Sequence, residues 1–331
     1  MTVVGHAAET IQGQPPARQN KKIKTGEGRL SFFLIGPTIL LLILIVGYPV
    51  VKAIFSSFRT DSGLDATGFF NQGGAWYGVT NYTHWLFQRC GSVSCAPGAL
   101  ASEFWSSIFV TVLFTVCTVV LETIIGISFA LIMNRAFKGR AIVRAAILIP
   151  WAIPTAVTSK LWIVVFDPNG ILNRVLGTHI LWTSEQGPAR AAVIIADTWK
   201  TAPFIALLIL AGLQGISAEI YEAAKVDGAG AWQRFWKITM PLVKPALAVA
   251  VIFRTLDALR MYDLPQILTG GANGTTTISI LVVRQLNSGL NSASALSTIT
   301  FIFIFGIALG MVRLFNVNVT GVESKKGLKE K

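Results

Sequence analysis

The chain has 331 residues, and 28 Lys and Arg against 16 Asp and Glu give a formal charge of +12. Hydrophobic residues make up 53% and charged residues 13%, where a soluble domain carries about 25% charged. A water-soluble fold is excluded, disorder of the main body is excluded by the same apolar content, and three cysteines are too few for a disulfide scaffold. In a chain this apolar, a pI near 9.9 points to basic membrane loops rather than to nucleic acid.

Residues 1–29 read as a basic tail carrying Arg18, Lys21, Lys22, Lys24 and Arg29. A membrane-spanning helix needs about 20 apolar residues to cross roughly 30 Å of hydrocarbon. Residues 32–51 contain no charge; the stretch is too long for a signal h-region, and no small-residue cleavage site follows it. The loop 60–102 is rich in Gly, Asn and aromatics and holds Cys90 and Cys95. On an oxidising side of the membrane these two can form a short-loop disulfide or remain free thiols. Zinc would need more ligands than nearby His84 supplies. Stretches near 103–134, 142–166, 190–213 and 241–264 are apolar but interrupted by polar residues, and 293–312 is again free of charge. The expected architecture is therefore an all-α integral membrane protein with six spans within residues 30–316, followed by a basic tail at 317–331.

Eighteen Lys and Arg fall on one side of such a bundle, in the two tails and around 135–144 and 225–244. About seven fall on the other: Lys52, Arg59, Arg89, Arg174, Arg190, Arg260 and Arg284. The positive-inside bias assigns both termini to the cytoplasm, and an even span count agrees.

Ionisable residues within spans cost a few kcal/mol each and need a reason. Glu122, Lys160, Asp197 and Lys200 are such residues, as are Arg254, Asp257, Arg260 and Asp263, which alternate in sign at spacing three along the fifth stretch. Two readings stand side by side. One is a set of internal ion pairs bracing the bundle. The other is a polar lining for a hydrated solute, built from Asp197, Thr201, Arg254, Asp257, Tyr262 and Asp263.

Residues 214–241 read as a helix, a break and a second helix. Ser217 is placed to cap the first helix, and Glu219 suits its N-terminal dipole. Ala223 and Ala224 extend it, and Gly228 can take the left-handed conformation that stops it. Trp232, Phe235 and Trp236 then share a face of the second helix before Pro241. A partner-gripped hairpin and an interfacial helix lying on lipid both fit this pattern.

Glu222-Ala-Ala, Gly228 and Ile238-Thr-Met240-Pro241 together resemble the EAA signature of permease subunits of binding-protein-dependent ABC importers, with Met240 where leucine is usual. The resemblance extends over about residues 30–315. Gly36-Pro37, Tyr48-Pro49, Val79-Thr80-Asn81-Tyr82, Trp199-Lys200-Thr201-Ala202-Pro203 and Leu268-Thr269-Gly270-Gly271 are similar to elements of the maltose-type sugar permeases. The pattern most resembles trehalose-type disaccharide importers of actinobacteria. The resemblance implies a type I importer permease fold in a bacterial plasma membrane, paired with a second homologous permease. It implies coupling through Glu222, Ala223, Ala224, Asp227, Gly228 and Trp232 to a dimer of a cytoplasmic ATP-binding subunit, with sugar delivered by an extracytoplasmic binding (lipo)protein. ATP and Mg would belong to that ATPase, because this chain contains no G-x-x-x-x-G-K-[ST] segment; the chain is expected to bind no cofactor and to catalyse no reaction. The alternative is a stand-alone secondary transporter or channel, driven by an ion gradient through Asp197, Glu122 or the fifth-span acids. An intramembrane enzyme is disfavoured, since no metal-spaced or Ser/Lys cluster occurs at matched depth.

Overall fold

A computed structural model of the chain describes residues 25–64 and 70–315. Apart from residues 25–29, which begin the first helix, the tails expected at 1–29 and 317–331 lie outside the described residues. The chain divides into two units, residues 1–52 and 53–331.

The first unit holds helix α1 (Thr25–Leu42) and a π turn (Ile43–Gly47), and α2 (Tyr48–Ser56) runs on from that turn past the unit's last residue. Pro49 has no N–H for the carbonyl four residues back, and the wide turn absorbs this by giving the Tyr48 N–H to the Ile43 carbonyl. The apolar run Phe33–Ser56 is 24 residues long, with a mean hydropathy of 2.4 and no buried residue. It is long enough to cross a bilayer.

The second unit is organised around α4 (Phe104–Asn134) and α8 (Gln186–Gln214), which pack along their lengths and are joined by α11 (Met240–Ala258). The close approach of α4 and α8 depends on Gly126: a Cβ there would stand 2.8 Å from Ile205 Cγ2 and 3.2 Å from the Ala206 nitrogen. Small residues at such crossings let membrane helices gain dispersion contact without a hydrophobic drive. Ala130, Met133, Ile205, Ile209, Leu213 and Val243 form one core at this crossing. A second core joins Phe114, Phe166, Trp182 and Leu264 farther along.

Two expected spans differ from a single rod. The third is a bent pair, α5 (Arg140–Ala152) and α6 (Thr155–Val165), turned by 98° at Ile153-Pro154 and followed by the short α7 (Ile171–Leu176). Proline disfavours helical geometry in the residue before it, and Ile153 is extended at φ −76°, ψ 133°. The carbonyl released there accepts from Lys200 Nζ at 2.8 Å. The fifth begins earlier and ends sooner than 241–264: α10 (Ala231–Arg234) runs through a π turn into α11, which stops at Ala258, and Asp263 opens a separate helix, α12 (Asp263–Thr269). Pro265 cannot donate to the Met261 carbonyl as a continuing helix would require; Thr277 Oγ1 satisfies that carbonyl instead at 2.8 Å. The spacing-three row of charges therefore breaks after Asp257. Among the described residues there are five helices long and apolar enough to span, and six spans if the bent pair is one.

The segment before α4 holds α3 (Thr80–Leu86) and two antiparallel pairs of two-residue strands, β1 (Gly63–Leu64) with β2 (Phe70–Asn71) and β3 (Arg89–Cys90) with β4 (Val93–Ser94). With an antiparallel bridge between Arg59 and Trp76, these are the extended pairings among the described residues. Cys90 and Cys95 are joined by a disulfide across the second pair. Trp85, fully buried, donates from Nε1 to the Ser292 carbonyl at 3.1 Å. Asp61 accepts from the backbone N–H groups of Asn291 at 2.6 Å and Ser292 at 2.9 Å. It thereby fills the open N-terminus of α14 (Leu290–Leu314). Between α12 and α14 lies α13 (Ile278–Leu286), whose first turn is capped by Thr277.

Candidate functional site: a charged cavity and a helical loop

Arg254 sits on the inner face of α11 with 2% of its side chain exposed. Across from it, α4 contributes Glu122, fully buried, and the two meet as a fork: Nε to Oε2 at 2.6 Å and Nη2 to Oε1 at 2.9 Å. Paired N–H···O bonds of this kind fix orientation as well as charge. The same Nη2 donates to Asp197 of α8, and Nη1 donates to Asp257 at 3.0 Å. Thr201 Oγ1 lies 2.5 Å from Glu122 Oε1 and 2.6 Å from the Asp197 carbonyl, so its one proton is shared between two acceptors. Three helices are thus tied through one guanidinium.

Next to this knot is a cavity of about 140 Å³. Asp197, Thr201, Arg254, Asp257, Tyr262 and Asp263 all line it, so the structure brings together every residue assigned to a solute path from the sequence. Arg254, Asp197 and Asp257 are at once ion-paired and part of the cavity wall, so the two readings fall on overlapping residues. Glu122 and the Arg254 head group are sealed inside protein, whereas the Asp257 side chain is 69% exposed. Asp263, exposed at the first turn of α12, and half-buried Tyr262 complete the open side. Arg260 also lines the cavity and donates only to the Leu256 carbonyl, with no ion pair among the described residues.

Sequence reasoning left Glu122, Lys200 and Thr155 out of the site. Lys200 and Thr155 line the cavity, and Glu122 anchors it from behind. An acid alone in the middle of a 31-residue apolar helix was the available signal for Glu122, and a hydroxyl directly after Pro154 the signal for Thr155. Lys160, in contrast, is exposed and lies outside the cluster.

The loop 214–241 folds as α9 (Ala218–Val226), a left-handed Gly228 at φ +75° and then α10. Ser217 occupies the cap position but makes no side-chain bond to the helix, contrary to its expected capping role. Glu222, Ala223, Asp227, Gly228 and Trp232 are exposed, while Ala224 is buried beneath them. The hairpin is pinned by Tyr221 Oη to Thr239 Oγ1 at 3.1 Å and by Arg234 Nη1 to the Ala229 carbonyl at 2.6 Å. Trp232, Phe235 and Trp236 form a ring cluster with centroids 5.1–6.0 Å apart, and Trp232 is 72% exposed.

His84, Cys90 and Cys95 have potential ligand atoms within 4.8 Å of one another. The disulfide commits both sulfurs, which leaves only the imidazole able to ligate.

Helices long and apolar enough to span a membrane, a charged cavity among three of them and a structured helical loop define a multi-pass transport permease. The chain belongs to the family described as binding-protein-dependent transport system inner membrane components, whose pattern matches residues 122–319. It is 39% identical over 296 residues to the trehalose/maltose transport system permease protein MalF of Thermococcus litoralis, covering 87% of this chain and 94% of that one. It is 35% identical over 303 residues to the trehalose transport system permease protein SugA of Mycobacterium tuberculosis, covering 91% and 93%. Its fold matches a chain of a bacterial ABC transporter involved in the import of the acidic polysaccharide alginate, with a TM-score of 0.69 at 20% identity over 89% of this chain and 97% of that one. The fold is that of a type I ABC importer permease. Family membership sets aside the stand-alone, ion-driven alternative.

Proposed function

We propose that the chain is one of two transmembrane subunits of an ATP-driven sugar importer and that its substrate is a disaccharide of the trehalose type. The observation that carries the reading is the convergence of eight polar side chains from α8, α11 and the 260–264 segment on one cavity inside the bundle. A sugar hydroxyl both donates and accepts, so it needs acceptors such as the Asp257 carboxylate beside donors such as Arg260, and an aromatic face such as Tyr262. The relatives named for trehalose and maltose transport support the substrate class.

In this reading both termini are cytoplasmic, and so is the loop 214–241. Glu222, Ala223, Asp227, Gly228 and Trp232 present the surface on which a cytoplasmic ATPase dimer acts, with Ala224 packing underneath. The ATPase holds ATP and Mg, a second homologous permease closes the other half of the path, and an extracytoplasmic sugar-binding protein supplies the substrate. Force applied at α9 reaches the cavity along one continuous route, because α9 is bonded to the turn from which α11 rises.

The test is uptake by the complex, co-expressed with its chromosomal neighbours and reconstituted in liposomes. Labelled trehalose should accumulate only with ATP inside and binding protein outside. Accumulation driven by an ion gradient without ATP would overturn the proposal.

A further inference from the structure

A larger cavity, about 560 Å³, lies away from the Arg254 cluster, between α3, the disulfide-closed hairpin, Gln285 of α13 and the start of α14. It shares no lining residue with the transmembrane cavity. Its volume falls within the range of about 300–1,000 Å³ typical of small-molecule sites.

The lining is chemically selective. Asp61 supplies a carboxylate whose two oxygens each accept a backbone N–H of α14, and Arg89 in the same lining carries the opposite charge, so the pocket has no single sign. His84 donates from Nδ1 to the Arg89 carbonyl at 2.6 Å, which leaves Nε2 free for a further hydrogen bond. The Thr80 and Thr83 hydroxyl protons go to backbone carbonyls at 2.9 and 3.0 Å, leaving oxygen lone pairs open. Gln285, which can donate and accept, makes no side-chain hydrogen bond among the described residues. The rings of Tyr77 and Phe87 stand at the rim, 44% and 68% exposed. Mixed donors and acceptors flanked by aromatic faces suit a neutral, polyhydroxylated ligand better than an ion or a hydrocarbon.

We propose that this pocket is a second carbohydrate site, taking one or two sugar rings outside the transmembrane cavity. The lining gives the ligand class; the outward orientation rests on the importer reading above. The disulfide holds Arg89 and Gly91 in the pocket wall, so the wall keeps its shape without bound sugar.

The experiment uses the full complex in nanodiscs without its extracytoplasmic binding protein. Trehalose, maltose and glucose are titrated separately, and contact is followed by saturation-transfer NMR. At least one sugar should bind with a Kd of about 1 mM. Phe87→Ala and Gln285→Leu should each weaken that binding about tenfold, while Lys160→Gln, at an exposed residue outside both cavities, leaves it unchanged. Phe87 is exposed, so its truncation tests the site without threatening the fold. The proposal is overturned if none of the three sugars binds up to tens of millimolar. It is also overturned if binding responds to Asp257→Asn but not to the pocket variants, or if those variants weaken docking of the binding protein alone. Sugar binding with the expected dependence, in a complex that imports no sugar, would defeat the importer reading and leave the pocket standing.

Discussion

Glu122 and Asp257 touch the same guanidinium, yet their surroundings give them different tasks. Glu122 has no exposed surface, and its loss removes the two-point contact and leaves the buried Nε of Arg254 without its acceptor. Breaking a buried pair in this way costs about 3–5 kcal/mol, so Glu122→Ala should sharply lower the yield of assembled complex on size-exclusion chromatography. Asp257 is open to the cavity and Arg254 keeps two other acids when it is neutralised. Asp257→Asn should assemble normally and reduce sugar uptake about tenfold, the effect of losing one charged hydrogen bond worth roughly 1.5 kcal/mol. Failed assembly of this variant would move Asp257 into the bracing set. The sequence marks each of these residues as unusual, because a charge in an apolar run is visible in one dimension. It does not reveal that Arg254, besides pairing with Asp257 at spacing three, reaches Glu122, 132 positions away, and Asp197, 57 positions away. That reach depends on how α4, α8 and α11 cross.

At the scale of elements, the long apolar runs were legible and their breaks were not. Residues 103–134, 190–213 and 293–312 became helices within three or four residues of their expected ends, since burial in lipid leaves an apolar stretch of that length few alternatives. Pro150, Pro154 and Pro265 stand in or beside the stretches 142–166 and 241–264, but membrane helices tolerate proline when another group satisfies the freed carbonyl. Which prolines bend the chain depends on partners such as Lys200 and Thr277, which come from elsewhere in the sequence. Two glycines make the element scale testable. Gly126→Val should overpack the α4–α8 crossing and cost about 1–3 kcal/mol, read as a lower melting temperature of the solubilised complex. An unchanged melting temperature would mean that the two helices separate freely. Gly228 has open space around a missing Cβ, so Gly228→Val meets only backbone strain, about 1–3 kcal/mol. That strain should alter the hairpin locally and leave assembly intact. ATP hydrolysis by the complex should persist while sugar uptake falls, and uptake that keeps pace with hydrolysis would count against coupling through this loop.

For the whole molecule, the eighteen-to-seven distribution of Lys and Arg makes a prediction about orientation. After mild reduction of the disulfide, a membrane-impermeant maleimide should label Cys90 and Cys95 in intact spheroplasts. Cys117, half-buried within α4, should stay unlabelled and serves as the internal control. Protection of Cys90 and Cys95 until lysis would invert the molecule and place the loop 214–241 on the side away from any cytoplasmic ATPase.

Lys200 belongs to two places at once. One of its three hydrogens holds the Ile153 carbonyl at the 98° bend between α5 and α6, and the same ammonium lines the Arg254 cavity. Bend angle and cavity charge are therefore not independent variables. Opening or closing the angle drags a positive charge along the cavity wall. By reciprocity, a solute that is held more tightly with that charge in one position favours one angle over the other. The bend then acts as a lever whose short arm ends inside the binding space, and the occupant's preference is readable as a shift in the distance between α5 and α6.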